Sequence, residues 1–250
     1  RKNSLAAAAV LIMGWMVPSD ALALAPPPAP DAVAARCNGL AGLRLPDTNI
    51  DSAALVPAKA AETTNAGEPP GYRSFCRVVA RVRSAPDSDI GVEIWLPAQD
   101  WTGVFHGNGN GGFAGVLAGG YSGMVDGLRR GFATATTDAG TAPASPLEGA
   151  ALIGHPRKWR DWGRLSTHVM TVTGKAITRA FYGRDARRSY YTGCSTGGQQ
   201  GLIESLYYPA DYDGILVGAP VINRTCGHAA VLWDYAAAHR APGSLLSDAK

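Results

Sequence analysis

Charge is scarce in this 250-residue chain: Asp, Glu, Lys and Arg make up 17% of it, and 23 basic against 20 acidic side chains leave a net +3. No basic run stands out, so the electrostatic footprint of a nucleic-acid binder is missing. There is no C-x-x-C and no His-x-x-x-His, so zinc ligation has no support. No apolar run reaches the roughly 20 residues that a membrane-spanning helix needs. Cysteine is limited to Cys37, Cys76, Cys194 and Cys226. Of five histidines only His228 and His239 lie in the last quarter of the chain. Apolar residues are plentiful, at 46%, which allows a buried core and excludes wholesale disorder. Glycine is abundant too, with 31 residues, so tight turns and close backbone approaches are expected.

The first segment reads as an address. Arg1 and Lys2 precede an apolar stretch, Leu5 to Val17, of signal-peptide length. Ala21-Leu22-Ala23 and Ala23-Leu24-Ala25 both offer the small-x-small pattern that a signal peptidase accepts, and Pro26 to Pro28 break any helix there. Residues 1–25 are therefore expected to be a signal peptide, and the protein to be secreted or periplasmic, with no membrane association after its removal. Export implies an oxidising compartment and disulfides. Four cysteines allow three connectivities, and spacing does not choose among them.

Residues 26–74 read as a linker, Pro26 to Pro30, followed by loops and short strands. Residues 75–250 read as one α/β domain. Strands are expected at Phe75–Val82, Gly91–Leu96, Gly103–His106, Gly131–Thr137, Ser189–Thr192 and Gly214–Val217. Helices are expected at Arg164–Tyr182, where Leu165, Val169, Val172, Ala176, Ile177 and Ala180 share a face, at Gln199–Tyr207, and from Asn223 to His239. Strands alternating with helices predict a mostly parallel sheet with flanking helices.

Two motifs carry chemistry. Gly193-Cys194-Ser195-Thr196-Gly197 is G-x-S-x-G between an expected strand and an expected helix. A nucleophilic serine needs a sharp turn that lifts its side chain off the sheet, and small flanking residues permit it. The amides and positive dipole end of the following helix then face developing negative charge. Upstream, Gly107-Asn108-Gly109-Asn110-Gly111-Gly112 follows a strand. It fits a dinucleotide fingerprint with Asp126 as the ribose acid, or a loop lending amides to an oxyanion hole. The glycine-rich segment after Gly112 argues against the helix that a pyrophosphate requires, which favours the second reading. Ser195 is then the nucleophile, and the N–H of Thr196 with that of Gly111 or Gly112 forms the oxyanion hole. The rival readings are a dinucleotide-binding oxidoreductase and a non-catalytic exported α/β domain. Trp159 and Trp162 are candidates either for lining a site or for packing.

In this order the motifs resemble the tannase/feruloyl esterase family of α/β-hydrolase-like serine esterases. The likeness runs from about Phe75 to Pro220. It is strongest in GCSTGGQQGL (193–202) and YPADYDGILVGAP (208–220), with GNGGFAG (109–115) and RAFYGRDARRSYYTGCS (179–195) beside them. The resemblance implies a serine carboxylesterase acting on small-molecule or polysaccharide-linked esters of aromatic acids, of feruloyl or galloyl type, with no cofactor in the chemistry. It implies that residues 75–250 are the N-terminal part of an α/β-hydrolase domain, stopping before the lid and the last strands. The catalytic Asp and His are then not in this chain. His228 and His239 lie beside no cysteine and end no strand, and Asp211, Asp213, Asp234 and Asp248 read as solvated. By resemblance, Cys194 pairs with a Cys beyond Lys250 that directly follows the catalytic His. Cys37 pairs with Cys76, and Cys226 has no assigned partner. A structural calcium belongs to the missing lid, leaving no metal site in this chain. Gln199 departs from the arginine common at that point in the family.

Overall fold

The computed structural model describes residues 30–59, 71–143 and 145–241. The expected signal peptide lies outside them. In chain order the main elements are α1 (Pro30–Gly39), β1 (Thr48–Val56), β2 (Phe75–Val82), β3 (Ile90–Pro97), β4 (Val104–Asn108), α2 (Tyr121–Arg129), β5 (Ala133–Thr137), α3 (Pro156–Arg160), α4 (Ser166–Tyr182), β6 (Arg188–Cys194), α5 (Thr196–Tyr207), β7 (Gly214–Gly218) and α6 (Arg224–Ala238). A π-helical turn, Asp161–Leu165, joins α3 to α4.

The strands form one sheet in the order β1-β2-β3-β5-β4-β6-β7. From β5 through β4 and β6 to β7 all pairs are parallel. Each step there is a strand–helix–strand crossover, as the alternation predicts. From β1 through β2 and β3 to β5 the pairs are antiparallel, and among the described residues no helix intervenes between β2 and β3. Strand alternation sends Phe105 and Ala135 to one face, where α4 approaches so closely that a Cβ on Gly174 would strike Phe105. His106, Asn108, Thr134 and Thr136 face α2 on the other side. All eight residues of β3 are buried. Its one charge, Glu93, accepts hydrogen bonds from Arg77 (2.5 and 2.9 Å), the Trp95 indole (2.6 Å) and Tyr121 (2.8 Å), as a buried carboxylate must.

Two expectations need correction. Residues 26–74 hold more than a linker, loops and short strands. Pro30 opens α1, the position where a missing N–H costs nothing, and α1 buries Val33 and Cys37 against the sheet. The nine-residue β1 pairs with β2 along its length, and a Cys37–Cys76 disulfide ties α1 to β2 with the Cα atoms 5.6 Å apart. The glycine-rich segment after Gly112 also contains a helix, α2. Gly120, just ahead of it, and Gly123 and Gly127 within it face the sheet. A Cβ there would collide with Thr136, Asn108 and Thr134 respectively. The glycines permit close packing of the helix on the strands, at a propensity cost that the buried Met124, Val125 and Leu128 offset.

On the opposite face α4, α5 and the turn into β7 meet at a polar cluster. His168 Nδ1 lies 2.6 Å from Asp211 Oδ2, so Asp211 is not the solvated residue expected. Glu204 is fully buried beside this pair, and the Lys175 ammonium donates to the Asp211 carbonyl. Burial, reinforced by Asp211, pushes the Glu204 carboxyl well above the ordinary carboxylate range. The folded state therefore keeps a proton that the unfolded chain releases, and its stability falls as pH rises above the ordinary carboxylate value. Glu204→Gln removes that loss. Urea denaturation should show the variant gaining on the parent between pH 5 and pH 8 by at least about 1.4 kcal/mol, the worth of one pKa unit. An equal difference at both pH values would contradict this account.

Candidate active site

Ser195 stands between the end of β6 and the start of α5, with φ 57° and ψ −120°. For a residue with a Cβ this is a strained conformation, costing roughly 1–3 kcal/mol. Three glycines make it attainable. A Cβ on Gly193 or Gly197 would run into the backbone of the facing turn, and one on Gly198 would strike the Gly218 carbonyl and Pro220. Hydrogen bonds then hold the turn: Ser195 N–H to Gly218 O at 3.1 Å, and the N–H groups of Gln199 and Val221 to Ser195 O at 3.1 and 3.3 Å. The serine is exposed while Thr196, one residue on, is buried.

The glycine loop lies against this turn. Gly109 N–H donates to Thr192 O at 2.9 Å, and a Cβ on Gly197 would meet Gly109 and Asn110. A buried polar network fixes the loop. Gln200 Nε2 donates to Asn110 Oδ1 at 2.8 Å, Gln200 Oε1 accepts from the Asn110 N–H at 3.4 Å, and Asn110 Nδ2 donates to Thr137 O at 2.7 Å. The Tyr191 hydroxyl is shared between Gly197 O (2.9 Å) and Gln200 Oε1 (3.1 Å). Sequence reading missed Asn110, Gln200 and Tyr191 as a unit. All three sit inside quoted motifs, but their pairing spans up to 90 residues, and no spacing rule registers it. Among the described residues, no acceptor takes the N–H of Gly111 or Gly112. Gly112, at φ +56°, passes so near the Pro146 carbonyl that no side chain would fit. A fixed serine thus faces a fixed loop with uncommitted amides, next to the first turn of a helix.

The remaining candidates fall elsewhere. Asp126 is an exposed residue of α2, near Arg129, and not at a strand end, so a ribose contact has no support. Trp162 is buried and stacks on Phe113, which follows the glycine loop, at 5.4 Å, while Trp159 sits edge-on to it and is 46% exposed, so only Trp162 packs behind the loop. Arg224, at the start of α6, donates to Gln199 Oε1 at 2.5 Å and to Thr196 Oγ1 at 2.9 Å. A guanidinium therefore does stand at this helix, supplied by residue 224 where residue 199 is glutamine.

Among the described residues no histidine is hydrogen-bonded to Ser195. His106 bonds Thr192, and burial lowers its pKa to about 4. His155 pairs with Asp87 and His168 with Asp211. His239 bonds the Tyr235 carbonyl, and His228 is exposed on α6. Cys194 and Cys226 are exposed and unbonded. His168, Glu204 and Asp211 form the one group of three candidate metal ligands among the described residues, with ligand atoms within 4.8 Å of one another. One imidazole and two carboxylates do not supply the six to eight oxygens that calcium takes, so the calcium implied by the resemblance finds no fit there.

Comparison with known proteins gives this geometry a context. The family described as tannase and feruloyl esterase matches residues 76–244. An uncharacterized esterase of Xanthomonas campestris is 36% identical over 219 residues, covering 88% of this chain and 38% of the relative. A probable feruloyl esterase B-2 of Aspergillus flavus is 39% identical over 152 residues, covering 60% of this chain and 27% of the relative. Among solved structures, feruloyl esterase B from Aspergillus oryzae superposes with a TM-score of 0.67 at 32% identity, covering 77% of this chain and 38% of that one. The chain thus spans less than two fifths of the length of these relatives.

Gln200→Leu would leave the Asn110 amide and side-chain oxygen buried without partners. Each buried unsatisfied group costs about 1–3 kcal/mol. Urea denaturation is expected to show a loss of about 2–4 kcal/mol, and a loss under 0.5 kcal/mol would show that the loop does not depend on this pair.

Proposed function

Since the chain belongs to the tannase and feruloyl esterase family, we propose that it forms the nucleophile half of an exported serine carboxylesterase cleaving esters of aromatic acids, of feruloyl or galloyl type. The observation that carries this reading is Ser195 itself, an exposed hydroxyl on a strained strand-to-helix turn beside amides with no other acceptor. Ser195 Oγ attacks the ester carbonyl. The N–H of Thr196, with that of Gly111 or Gly112, takes the negative charge on the carbonyl oxygen, each donor worth roughly 3–4 kcal/mol. The alcohol leaves, an acyl-enzyme remains, and water releases the aromatic acid.

The base is supplied, in this reading, by a His–Asp pair outside the 250 residues. A Cys following that His pairs with Cys194, a reading supported by its thiol being exposed and unbonded among the described residues. This disulfide would seat the His beside Ser195. Export is supported by the apolar Leu5–Val17 segment and by the Cys37–Cys76 disulfide, which suits an oxidising compartment.

The test is reaction of the chain, completed with the C-terminal portion of Aspergillus oryzae feruloyl esterase B, with an alkyl fluorophosphonate, followed by peptide mapping. One adduct is expected on Ser195 and none on Ser195→Ala. The chain completed with the C-terminal portion of Aspergillus oryzae feruloyl esterase B should hydrolyse methyl ferulate. The chain alone should be slower by up to about 10⁶, the cost of lacking a base. Hydrolysis by the completed protein that survives Ser195→Ala would overturn the assignment.

A further inference from the structure

Arg224 is an unpaired cation beside the nucleophile. Its Nε and Nη2 are committed to Gln199 and Thr196, both neutral, and its guanidinium carbon stands 4.6 Å from the centre of the Trp162 ring. Among the described residues no carboxylate pairs with it, and Nη1 has no protein partner. Burial lowers its pKa, so its charge is held where charge is disfavoured. Below it the Trp162 indole N–H, on a side chain only 4% exposed, meets no acceptor. The positive end of α5 begins one residue away at Thr196.

Positive charge and helix dipole therefore converge with no counter-charge among the described residues. Partly withdrawn from water, such an arrangement favours the entry of an anion. The guanidinium is also held in place before any ligand arrives: two hydrogen bonds and the ring fix its plane, and its free edge is preorganised for a planar acceptor.

We propose that Arg224 and Thr196 form a carboxylate-binding subsite that retains the aromatic acid released at Ser195, making the product an inhibitor of its own formation. This inference rests on the esterase reading above. One carboxylate oxygen takes the place of the ester carbonyl oxygen at the Thr196 N–H, and the other faces Nη1. The ester substrate, which lacks the charge, gains little from Arg224. The acid gains an ion pair in a partly desolvated site.

The experiment is equilibrium binding of ferulate and of its uncharged analogue ferulamide to the full chain, by calorimetry. The wild-type chain is expected to bind ferulate at least tenfold more tightly than ferulamide, and salt should weaken only the ferulate complex. In Arg224→Gln the preference should fall below twofold with ferulamide affinity unchanged. Arg224→Lys, which keeps the charge without the fork, should retain part of it. Thermal melts of both variants verify that they fold. Ferulate binding no tighter than ferulamide, including no binding of either, overturns the proposal, as does a preference that persists in Arg224→Gln. Phosphonate labelling of Ser195 in the chain completed with the C-terminal portion of Aspergillus oryzae feruloyl esterase B separates the two readings. Labelling without anion preference sinks this subsite alone, whereas absence of labelling sinks the esterase reading itself.

Discussion

The architecture turns on a backbone contradiction at one residue. Ser195 is held at a positive φ that side chains avoid, and the fold must over-determine it to keep it there. The means is close approach. β6, the start of α5 and the 109–112 loop cross within a space that admits only glycine at 109, 193 and 197, and the Gly218–Pro220 segment closes over Gly198. Two further stretches, residues 109–112 and 218–220, are thus pressed onto the turn that joins β6 to α5. The sheet order follows from the same need, since β6 has to lie between β4, which delivers the loop, and β7, which delivers the Gly218 carbonyl.

Glycines permit the crossing but do not hold it. A glycine loop left alone would sample many conformations, and its amides would not be preorganised for a developing oxyanion. The Asn110–Gln200–Tyr191 network supplies the missing rigidity. Its members are almost fully buried, so each unmade hydrogen bond would carry its whole desolvation cost. The network therefore favours one loop position sharply over its neighbours. Tyr191 reaches both Gln200 and the carbonyl of Gly197, so the loop and the nucleophile turn are set by the same side chain.

Legibility in the sequence followed the kind of signal. The strands at Phe75, Gly91, Gly131, Ser189 and Gly214 were readable because short apolar runs bounded by glycine or proline have few alternatives, and observed ends differ from expected ones by one or two residues in most cases. β1, in a stretch expected to hold short strands, could not be delimited because it is an edge strand, with many exposed positions and a register shift between Ile50 and Ser52 that breaks its alternation. α2 escaped because Gly123 and Gly127 lower helix propensity, while the gain from packing them against Thr134 and Asn108 is tertiary. At the site, Ser195 and the glycine loop were legible as local patterns. Arg224, Gln200 and Asp211 were not, since each acquires its role from a partner that only the fold brings near. Of the site residues named from sequence, Ser195 and the glycine loop are brought together, and Asp126 is removed to a helix surface.

The openness of one side of the molecule bears on how the serine would be activated. Among the described residues β7 ends the sheet with one edge unpaired, and it exposes Leu216. The loop after it exposes Ile222, and α6 exposes Val231, Leu232, Trp233 and Tyr235. Such a concentration of bare apolar side chains beside an unpaired strand edge is characteristic of a surface that another segment covers. Cys194 opens onto this side, and a cleft of about 400 Å³ runs from it past Thr192 and Leu216 to α2. A segment that brought a histidine to Ser195 and a cysteine to Cys194 would lie against this surface and bury part of it. The burial energy of the apolar face and the placement of the base would then be one event, so that the serine becomes reactive only when the fold around it is closed.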